Sequence, residues 1–262
     1  MVAIAGCGWA GREYWLARYQ REIDGASHDL ANAHTDAERS RAYSARGAAY
    51  SEKARYSRTF KLISSEEYVR LFDLAIADHD RAVGLAPGDA GLYLARGLAY
   101  YWRAVLEDRT DQSTGGLFGA ARADFTSAIE RDPRDEQAFD MRGLVSLADE
   151  DLDDAIRDFS EVMKLDARLG RIRLADAYCR RGESNVRTKK YDVAIADFEK
   201  SIAMEAPSDG CDCQPDSPLA WTYLETGQVD KSWAAVRRAR RAGRWIMPEL
   251  IERLRKVSGR DG

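Results

Sequence analysis

The feature that most constrains this chain is an internal repeat, because self-similarity at a fixed period of about 20 to 50 residues dictates a repeating architecture. An Arg-Gly pair recurs four times, and an aromatic residue stands three positions before each arginine. The arginines are Arg46, Arg96, Arg142 and Arg181, and the aromatic residues are Tyr43, Tyr93, Phe139 and Tyr178. A second block with a shared aspartate follows each pair, at Asp78, Asp124, Asp158 and Asp197. The chain is therefore predicted to contain four copies of one structural unit.

The spacing between the two blocks gives the length of the unit. From glycine to aspartate the separations are 31, 27, 15 and 15 residues, so the first two copies carry insertions. Three second blocks contain Ala-x3-Phe, at Ala121/Phe125, Ala155/Phe159 and Ala194/Phe198, and the first has Ala75 and His79 instead. Pro87 and Pro133 follow the first two second blocks, where proline forbids continuation of a helix. These patterns predict an all-α chain of paired helices.

The blocks resemble the tetratricopeptide repeat family, whose helix-turn-helix unit of about 34 residues contains the same Ala-x3-Phe and proline elements. The resemblance implies a right-handed α-solenoid of stacked hairpins, with units at 40–89, 90–135, 136–169 and 175–208. An N-terminal extension with a helix over 12–34 fills residues 1–39. Residues 209–262 are predicted to hold a degenerate fifth repeat at about 216–243 and a capping helix at 248–257.

Local signals place the helices of the two longer units. Thr35-x-x-Glu38 and Ser64-x-x-Glu67 are capping-box patterns that predict the two helix starts of the first unit. Gly115-Gly116 predicts the break of the second unit, between helices at about 90–108 and 117–131.

The recurring arginines and aspartates suggest a structural role. We hypothesise that Arg46, Arg96, Arg142 and Arg181 form charge-assisted bonds with Asp78, Asp124, Asp158 and Asp197 and so set the packing register. The alternative is that both sets occupy separate solvated faces, since exposed ion pairs contribute at most about 1 kcal/mol.

The resemblance also implies a binding surface. In this family the concave face is lined by fixed positions of the first helix, which here form an apolar strip at Leu94, Leu98, Tyr101, Trp102, Leu144 and Leu147. Such a strip suits an extended peptide or a partner helix. The alternative is that the N-terminal helix or the neighbouring units cover it as ordinary core. The Lys and Asn clamp with which some family members hold a C-terminal carboxylate is missing at the matching positions, which are Ser44/Ala48, Leu94/Leu98, Asp140/Leu144 and Cys179/Glu183.

No sequence pattern indicates catalysis, a cofactor or a metal. The chain has three histidines, and His28 and His34 are six residues apart, which does not place two ligands side by side on a helix. Cys211-Asp-Cys213 is too closely spaced for a CxxC zinc site and has no second pair. We therefore expect a non-catalytic protein.

Charge is unevenly distributed along the chain. The net charge is −4, but residues 229–262 contribute +6, which argues against one broad nucleic-acid surface and leaves a local basic end. The helix around Arg237, Arg238, Arg240, Arg241 and Arg244 is expected to be a polar cap of the solenoid, and anion binding is the alternative.

The cysteines and the apolar content bear on location. Four cysteines are too few for a disulfide framework, and no stretch is long enough to span a membrane, so a cytoplasmic protein is the default expectation. Ile4-Ala5-Gly6-Cys7 resembles a lipobox, so an exported protein anchored at Cys7 is the alternative. Cys211 and Cys213 would be free thiols in a cytoplasmic protein and would form a disulfide in an exported one.

Overall fold

The computed structural model describes residues 9–105, 112–204 and 214–260, and this part of the chain forms helices and no strands. The helices follow each other in the order α1 Trp9–Asn32, α2 Asp36–Thr59, α3 Ser65–Leu85, α4 Ala90–Ala104, α5 Gln112–Arg131, α6 Glu136–Ala148, α7 Leu152–Leu165, α8 Ala167–Arg187, α9 Tyr191–Met204, α10 Asp216–Glu225, α11 Val229–Arg241 and α12 Pro248–Ser258.

The chain divides into two compact units, residues 1–145 and residues 146–262. In the first unit α1 packs on α2, α2 on α3, α3 on α4 and α4 on α5, and α2 also contacts α4. In the second unit each helix from α7 to α12 packs on the next. Sequential packing of this kind is expected of stacked hairpins, in which each repeat contacts its neighbours.

The first unit begins its helices at the predicted capping residues. The Thr35 side chain accepts from the Glu38 amide, and the Glu38 carboxylate accepts from the Thr35 amide at 3.0 Å, so the box is complete. Ser64 accepts from the Glu67 amide at 3.2 Å, but the Glu67 carboxylate binds Arg70 instead. Both caps satisfy amides that a helix start leaves without intrahelical partners.

Three helix boundaries differ from the sequence-based expectation. Gly115 and Gly116 lie inside α5, which begins at Gln112, and α4 ends at Ala104. Glycine weakens a helix by about 1 kcal/mol but does not end one that tertiary packing supports, and Phe118 and Phe125 of α5 are buried. Helix α8 begins at Ala167, earlier than the predicted unit start, because the Asp166 carboxylate caps it by accepting from the amides of residues 168 and 169.

In the α4–α5 and α8–α9 hairpins a glycine of the first helix faces a phenylalanine ring of the second. Phe125, Phe159 and Phe198 have 0% of their surface exposed. A Cβ on Gly97 would lie 2.7 Å from Phe125 Cε1, and one on Gly182 would lie 2.6 Å from Phe198 Cε1. The recurring glycine is therefore explained by close approach of the two helices, which a methyl group would prevent.

Candidate functional site

The apolar strip on α4 is open to solvent on one side. We name Leu94, Leu98, Tyr101 and Trp102 the α4 strip, and all four side chains are half-buried. Among the described residues, helix α1 packs on α2, and the side chains of the strip keep part of their surface accessible. The neighbouring residues Leu92, Gly97, Ala99 and Ala104 are buried and attach α4 to the core.

The two leucines predicted on α6 have different environments. Leu144 is half-buried, whereas Leu147 is buried with 8% of its surface exposed. A buried leucine contributes to packing and is not available to a partner, so Leu147 does not belong to the accessible surface.

The aromatic residues of α4 face different sides of the helix. Tyr101 and Trp102 contact each other edge to face with ring centroids 5.2 Å apart, and Tyr101 also packs on Phe118 at 6.0 Å. Tyr100 lines a separate surface depression that also includes Ile76 of α3. Three consecutive helical residues sweep about 200°, so this division is expected.

Trp102 is held from two directions. The Tyr68 hydroxyl donates to the Trp102 carbonyl at 2.7 Å, and burial raises the pKa of Tyr68 to about 12. The Arg55 guanidinium lies 4.7 Å from the centroid of the Trp102 ring and donates to the Glu52 carboxylate at 2.8 Å. Tyr68 thus fixes the backbone of Trp102, and Arg55 covers one face of its indole ring.

A cavity of about 210 Å³ lies beside the α4 strip in the first unit. The first helices of three successive hairpins line it. From α2 come Ala48, Ser51, Glu52 and Arg55, from α4 come Ala95, Leu98, Ala99 and Trp102, and from α6 come Gln137 and Met141. His79 of α3 completes the lining, and we name this space the His79 cavity.

His79 occupies the position that phenylalanine occupies in the other three second blocks. It is 1% exposed, and its Cε1 and Nε2 atoms would lie 2.9 Å from a Cβ on Gly47, the same close approach that the phenylalanines make. Burial lowers the pKa of His79 to about 4, so the imidazole is neutral at pH 7. Within the described residues its Nδ1 atom has no hydrogen-bond partner, and the same is true of Ser51 Oγ.

The recurring arginines and aspartates meet in the same two-bond geometry in three hairpins. In each, Nε and Nη2 of the arginine donate to the two carboxylate oxygens, at 2.7 and 2.8 Å for Arg46/Asp78, 2.8 and 2.6 Å for Arg96/Asp124, and 2.9 and 2.7 Å for Arg181/Asp197. The aspartates are 3%, 6% and 2% exposed at the side chain, so these pairs are buried at the carboxylate. Hydrogen bonding to its aspartate raises the pKa of each arginine.

The third nitrogen of each arginine reaches an earlier helix, which is α1 for Arg46 and the second helix of the preceding hairpin for the other three. Nη1 of Arg46 donates to Ser27 Oγ at 3.3 Å, and Nη1 of Arg96 donates to Asp80 at 2.8 Å. Nη1 of Arg142 donates to Thr126 Oγ1 at 3.2 Å, and Nη1 of Arg181 donates to Asp153 at 2.5 Å. One side chain therefore contacts two consecutive hairpins. Asp158, which belongs to the predicted third pair, is buried with 4% of its surface exposed.

The α10–α11 hairpin, in the predicted fifth repeat, holds an ion pair with a buried carboxylate and the residue types exchanged, which the sequence pattern did not reveal. Asp216, at the start of α10, is 1% exposed and accepts from Arg238 Nε of α11 at 2.7 Å. Arg244 Nη1 also donates to Asp216. Two of the five clustered arginines thus serve the packing of this repeat. Arg237, Arg240 and Arg241 are exposed and have no ion pair among the described residues, and Trp245 nearby in sequence is 62% exposed.

One of the four cysteines forms a disulfide. Cys179 is fully buried and disulfide-bonded. Cys7, Cys211 and Cys213 lie outside the described residues, so the structure does not address the lipobox or the Cys211/Cys213 pair. Among the described residues no group of acidic, histidine and cysteine side chains is arranged to hold a metal ion, and no helix is long and apolar enough to cross a membrane.

Comparison with known proteins gives one family match. Residues 175–207 match the family model described as Tetratricopeptide repeat. No curated protein matches the sequence.

Several solved structures are similar to the chain at low identity. BtubC (BKLC) from P. vanneervenii is 16% identical with a TM-score of 0.49, covering 88% of this chain and 90% of its own. MamA is 18% identical with a TM-score of 0.48, covering 75% and 91%. YrrB, a TPR protein with an unusual peptide-binding site, is 15% identical with a TM-score of 0.44, covering 80% and 86%.

The matched segment coincides with α8 and α9, the hairpin in which Gly182 packs on Phe198 and Arg181 binds Asp197. The same glycine-to-aromatic and arginine-to-aspartate contacts occur between α4 and α5. The segment that matches a tetratricopeptide repeat therefore shares its glycine-to-aromatic and arginine-to-aspartate contacts with the α4–α5 hairpin.

Proposed function

We propose that this protein is a non-catalytic interaction scaffold that binds a peptide or a partner helix through the α4 strip and Leu144. Stacked helical repeats as a class present extended concave surfaces for binding. The observation that carries the proposal is that α4 has four large apolar side chains that are only half-buried on one side, while its other side is fixed in the core.

Trp102 is the proposed anchor of the bound segment. Its ring is held in one orientation by Arg55 and its backbone by Tyr68, so little side-chain freedom is lost on binding. Tyr101 is less suited because part of its ring is engaged with Phe118. Leu98 lines the His79 cavity together with Trp102, which makes an apolar surface continuous with the anchor.

Photo-crosslinking tests the location of the binding surface. A benzophenone amino acid at position 98 should capture a partner in the native host, and the same group at position 100, on the other side of α4, should not. Mass spectrometry then identifies the captured protein and the segment bound. Equal capture from both positions, or capture from position 100 alone, would contradict the proposal.

Affinity measurements with the captured segment test the anchor. Trp102→Ala should weaken binding by about 30-fold or more, since an aromatic anchor typically contributes about 2 kcal/mol or more. Tyr100→Ala is the matched control, because it removes a half-buried aromatic ring from the opposite side of the same helix. Unfolding in urea checks both variants, and similar affinity for the two would place the binding surface elsewhere.

A second candidate function is anion binding at the C-terminal end. Arg237, Arg240 and Arg241 are exposed without ion pairs among the described residues, and Trp245 is exposed beyond the end of α11. Retention on a heparin column should fall with salt, and replacement of the three arginines by glutamine should abolish it. Retention that is unchanged in this triple variant would leave the arginines with the polar capping role.

The disulfide at Cys179 supports the exported alternative for location. Disulfides persist in oxidising compartments and are rare in the cytosol. We therefore propose that the protein acts in an oxidising compartment, and Cys179 that is alkylated without reduction in protein unfolded directly after isolation from the native host would contradict this.

A further inference from the structure

The strongest additional feature is the exposed basic side of α11, because its arginines have no ion pair among the described residues. Arg237, Arg240 and Arg241 are all exposed. With 3.6 residues per turn these positions lie within about 100° of one another around the helix, so their side chains leave α11 on one side. We name this side the α11 basic face.

We propose that the α11 basic face binds a second copy of this chain, in an acidic groove formed by α1 and α2 of that copy. This inference rests on the second candidate function and deepens it, because it names the anion that the arginines bind.

The receiving groove lies in the first unit. It is an open depression of about 460 Å³ between residues of α1 and α2, and we name it the α1–α2 groove. Its charged lining residues are all acidic, namely Glu22, Asp29 and Glu52, and its other lining residues are all glycine or alanine. Such small residues allow a second helix to come close, since the distance between packed helices depends on the side chains at the contact.

The carboxylates of the α1–α2 groove are accessible. All three acidic residues are exposed, and Asp29 has no hydrogen bond or ion pair among the described residues. Glu22 accepts from Arg18, and Glu52 accepts from Arg55, each at 2.8 Å within one helix and at the surface. Exposed pairs of this kind contribute at most about 1 kcal/mol, so an incoming arginine can replace the partner.

The charges are spaced alike on the two surfaces. Glu22 and Asp29 are seven residues apart, which is about two turns and about 10 Å along one side of α1. Arg237 and Arg241 are four residues apart, which is about 6 Å along α11. Arginine side chains are long and flexible enough to cover the difference, and a guanidinium group can donate two bonds to one carboxylate.

The distribution of charge along the chain favours a second copy over nucleic acid. Residues 229–262 carry +6, and the preceding 228 residues carry −10. The basic end is therefore attracted to the acidic part of another copy, whereas a polyanion that reaches the basic end is repelled by the rest of the molecule. Because the two surfaces differ, the contact is heterologous, and the copies would form an open chain or a ring.

Sedimentation velocity of the full chain tests the association. The weight-average mass of the wild-type protein should rise with protein concentration at about 0.1 M salt and return to that of the monomer at about 1 M, because the Debye length falls from about 10 Å to about 3 Å. A wild-type protein that stays monomeric at 0.1 M salt would overturn the inference, and so would association that persists at 1 M.

Charge reversal tests which surfaces meet. The face variant carries Arg237→Glu, Arg240→Glu and Arg241→Glu, and the groove variant carries Glu22→Lys, Asp29→Lys and Glu52→Lys. Each variant alone should be monomeric at 0.1 M salt, because its groove and its basic face then carry the same sign of charge. A 1:1 mixture should associate again, since each surface then finds one of opposite charge on the other protein.

A third variant controls for net charge. Asp24→Lys, Glu130→Lys and Glu150→Lys change the net charge as the groove variant does, but these exposed residues lie outside the α1–α2 groove. This control should associate like the wild-type protein. Urea denaturation checks that the variants fold, and the face variant serves alone if the groove variant does not.

Two results with folded variants would also overturn the inference. One is association of the face variant that equals the wild type, and the other is loss of association in the control as complete as in the groove variant. Retention of the wild-type protein on heparin does not depend on either result, so failure of self-association is distinguishable from failure of anion binding by the arginines.

Discussion

Breaking the Arg181–Asp197 pair should destabilise the α8–α9 hairpin by about 3 kcal/mol. The Asp197 side chain is 2% exposed and accepts from Arg181 Nε at 2.9 Å and Nη2 at 2.7 Å. Removing one partner of a buried pair costs about 3 to 5 kcal/mol, because the other charge stays buried. The lower end applies here, since Arg181 is 24% exposed and Asn185 still donates to Asp197 at 3.2 Å.

Hydrogen exchange measured by mass spectrometry detects this change locally. Arg181→Met should raise the opening constant of peptides from α8 and α9 by about 100-fold, which is the equivalent of about 3 kcal/mol. Arg180→Met is the matched control. Arg180 binds Asp176 one turn away on the same helix with its side chain 49% exposed, so its loss should cost less than about 1 kcal/mol.

A double-mutant cycle separates the charge effect from simple loss of packing. Combining Arg181→Met with Asp197→Leu should cost less than the sum of the two single changes, because no unpaired charge remains buried. The reasoning fails if Arg181→Met exchanges like the wild-type protein. It also fails if the double variant costs the full sum, since the two residues would then be uncoupled.

Four further predictions follow from buried residues. Phe159→Ala should lower the free energy of unfolding by about 3 to 5 kcal/mol in urea denaturation, because the ring is 0% exposed; a loss below 1 kcal/mol would contradict the repeat packing. Gly170→Ala should destabilise by about 1 to 3 kcal/mol or more, because the new Cβ would lie 2.2 Å from the Met163 Cα, and an unchanged melting temperature would refute this. The folded pKa of His79, about 4, lies below its unfolded value of 6.5, so stability should fall by about 3 kcal/mol as pH drops from 6.5 through 4. The difference in unfolding free energy between the wild-type protein and His79→Phe should show this fall with pH. A difference that does not change with pH would mean that the pKa of His79 is normal. Intact-mass analysis after alkylation without reduction should show Cys179 protected, and alkylated Cys179 in unfolded, unreduced protein would exclude the disulfide.

The sequence alone determined the repeat and its core. A small residue in the first helix and an aromatic residue in the second, at constant spacing, are local requirements of close helix packing. Gly182 and Phe198 show this, since the ring occupies the space that a Cβ would need. The capping residue Thr35 is equally local, because its hydrogen bond lies within one helical turn.

Some boundaries depended on packing that no local pattern encodes. Gly115-Gly116 favours a break by its intrinsic cost, yet burial of Phe118 and Phe125 keeps α5 helical from Gln112. Leu144 and Leu147 read alike in the sequence, but only Leu147 is buried, because exposure depends on which side of α6 meets a neighbour.

The chemistry of the surface was decided by the tertiary structure. An ion pair has no preferred order along a chain, so the exchanged pair of Asp216 and Arg238 lacks the repeat signature although its aspartate is just as buried. His79 reads as a substituted core aromatic residue, and that description of its packing is correct. Only the arrangement of α2, α3, α4 and α6 around one space shows that this histidine and Ser51 line a cavity, because the four helices come from separate parts of the sequence.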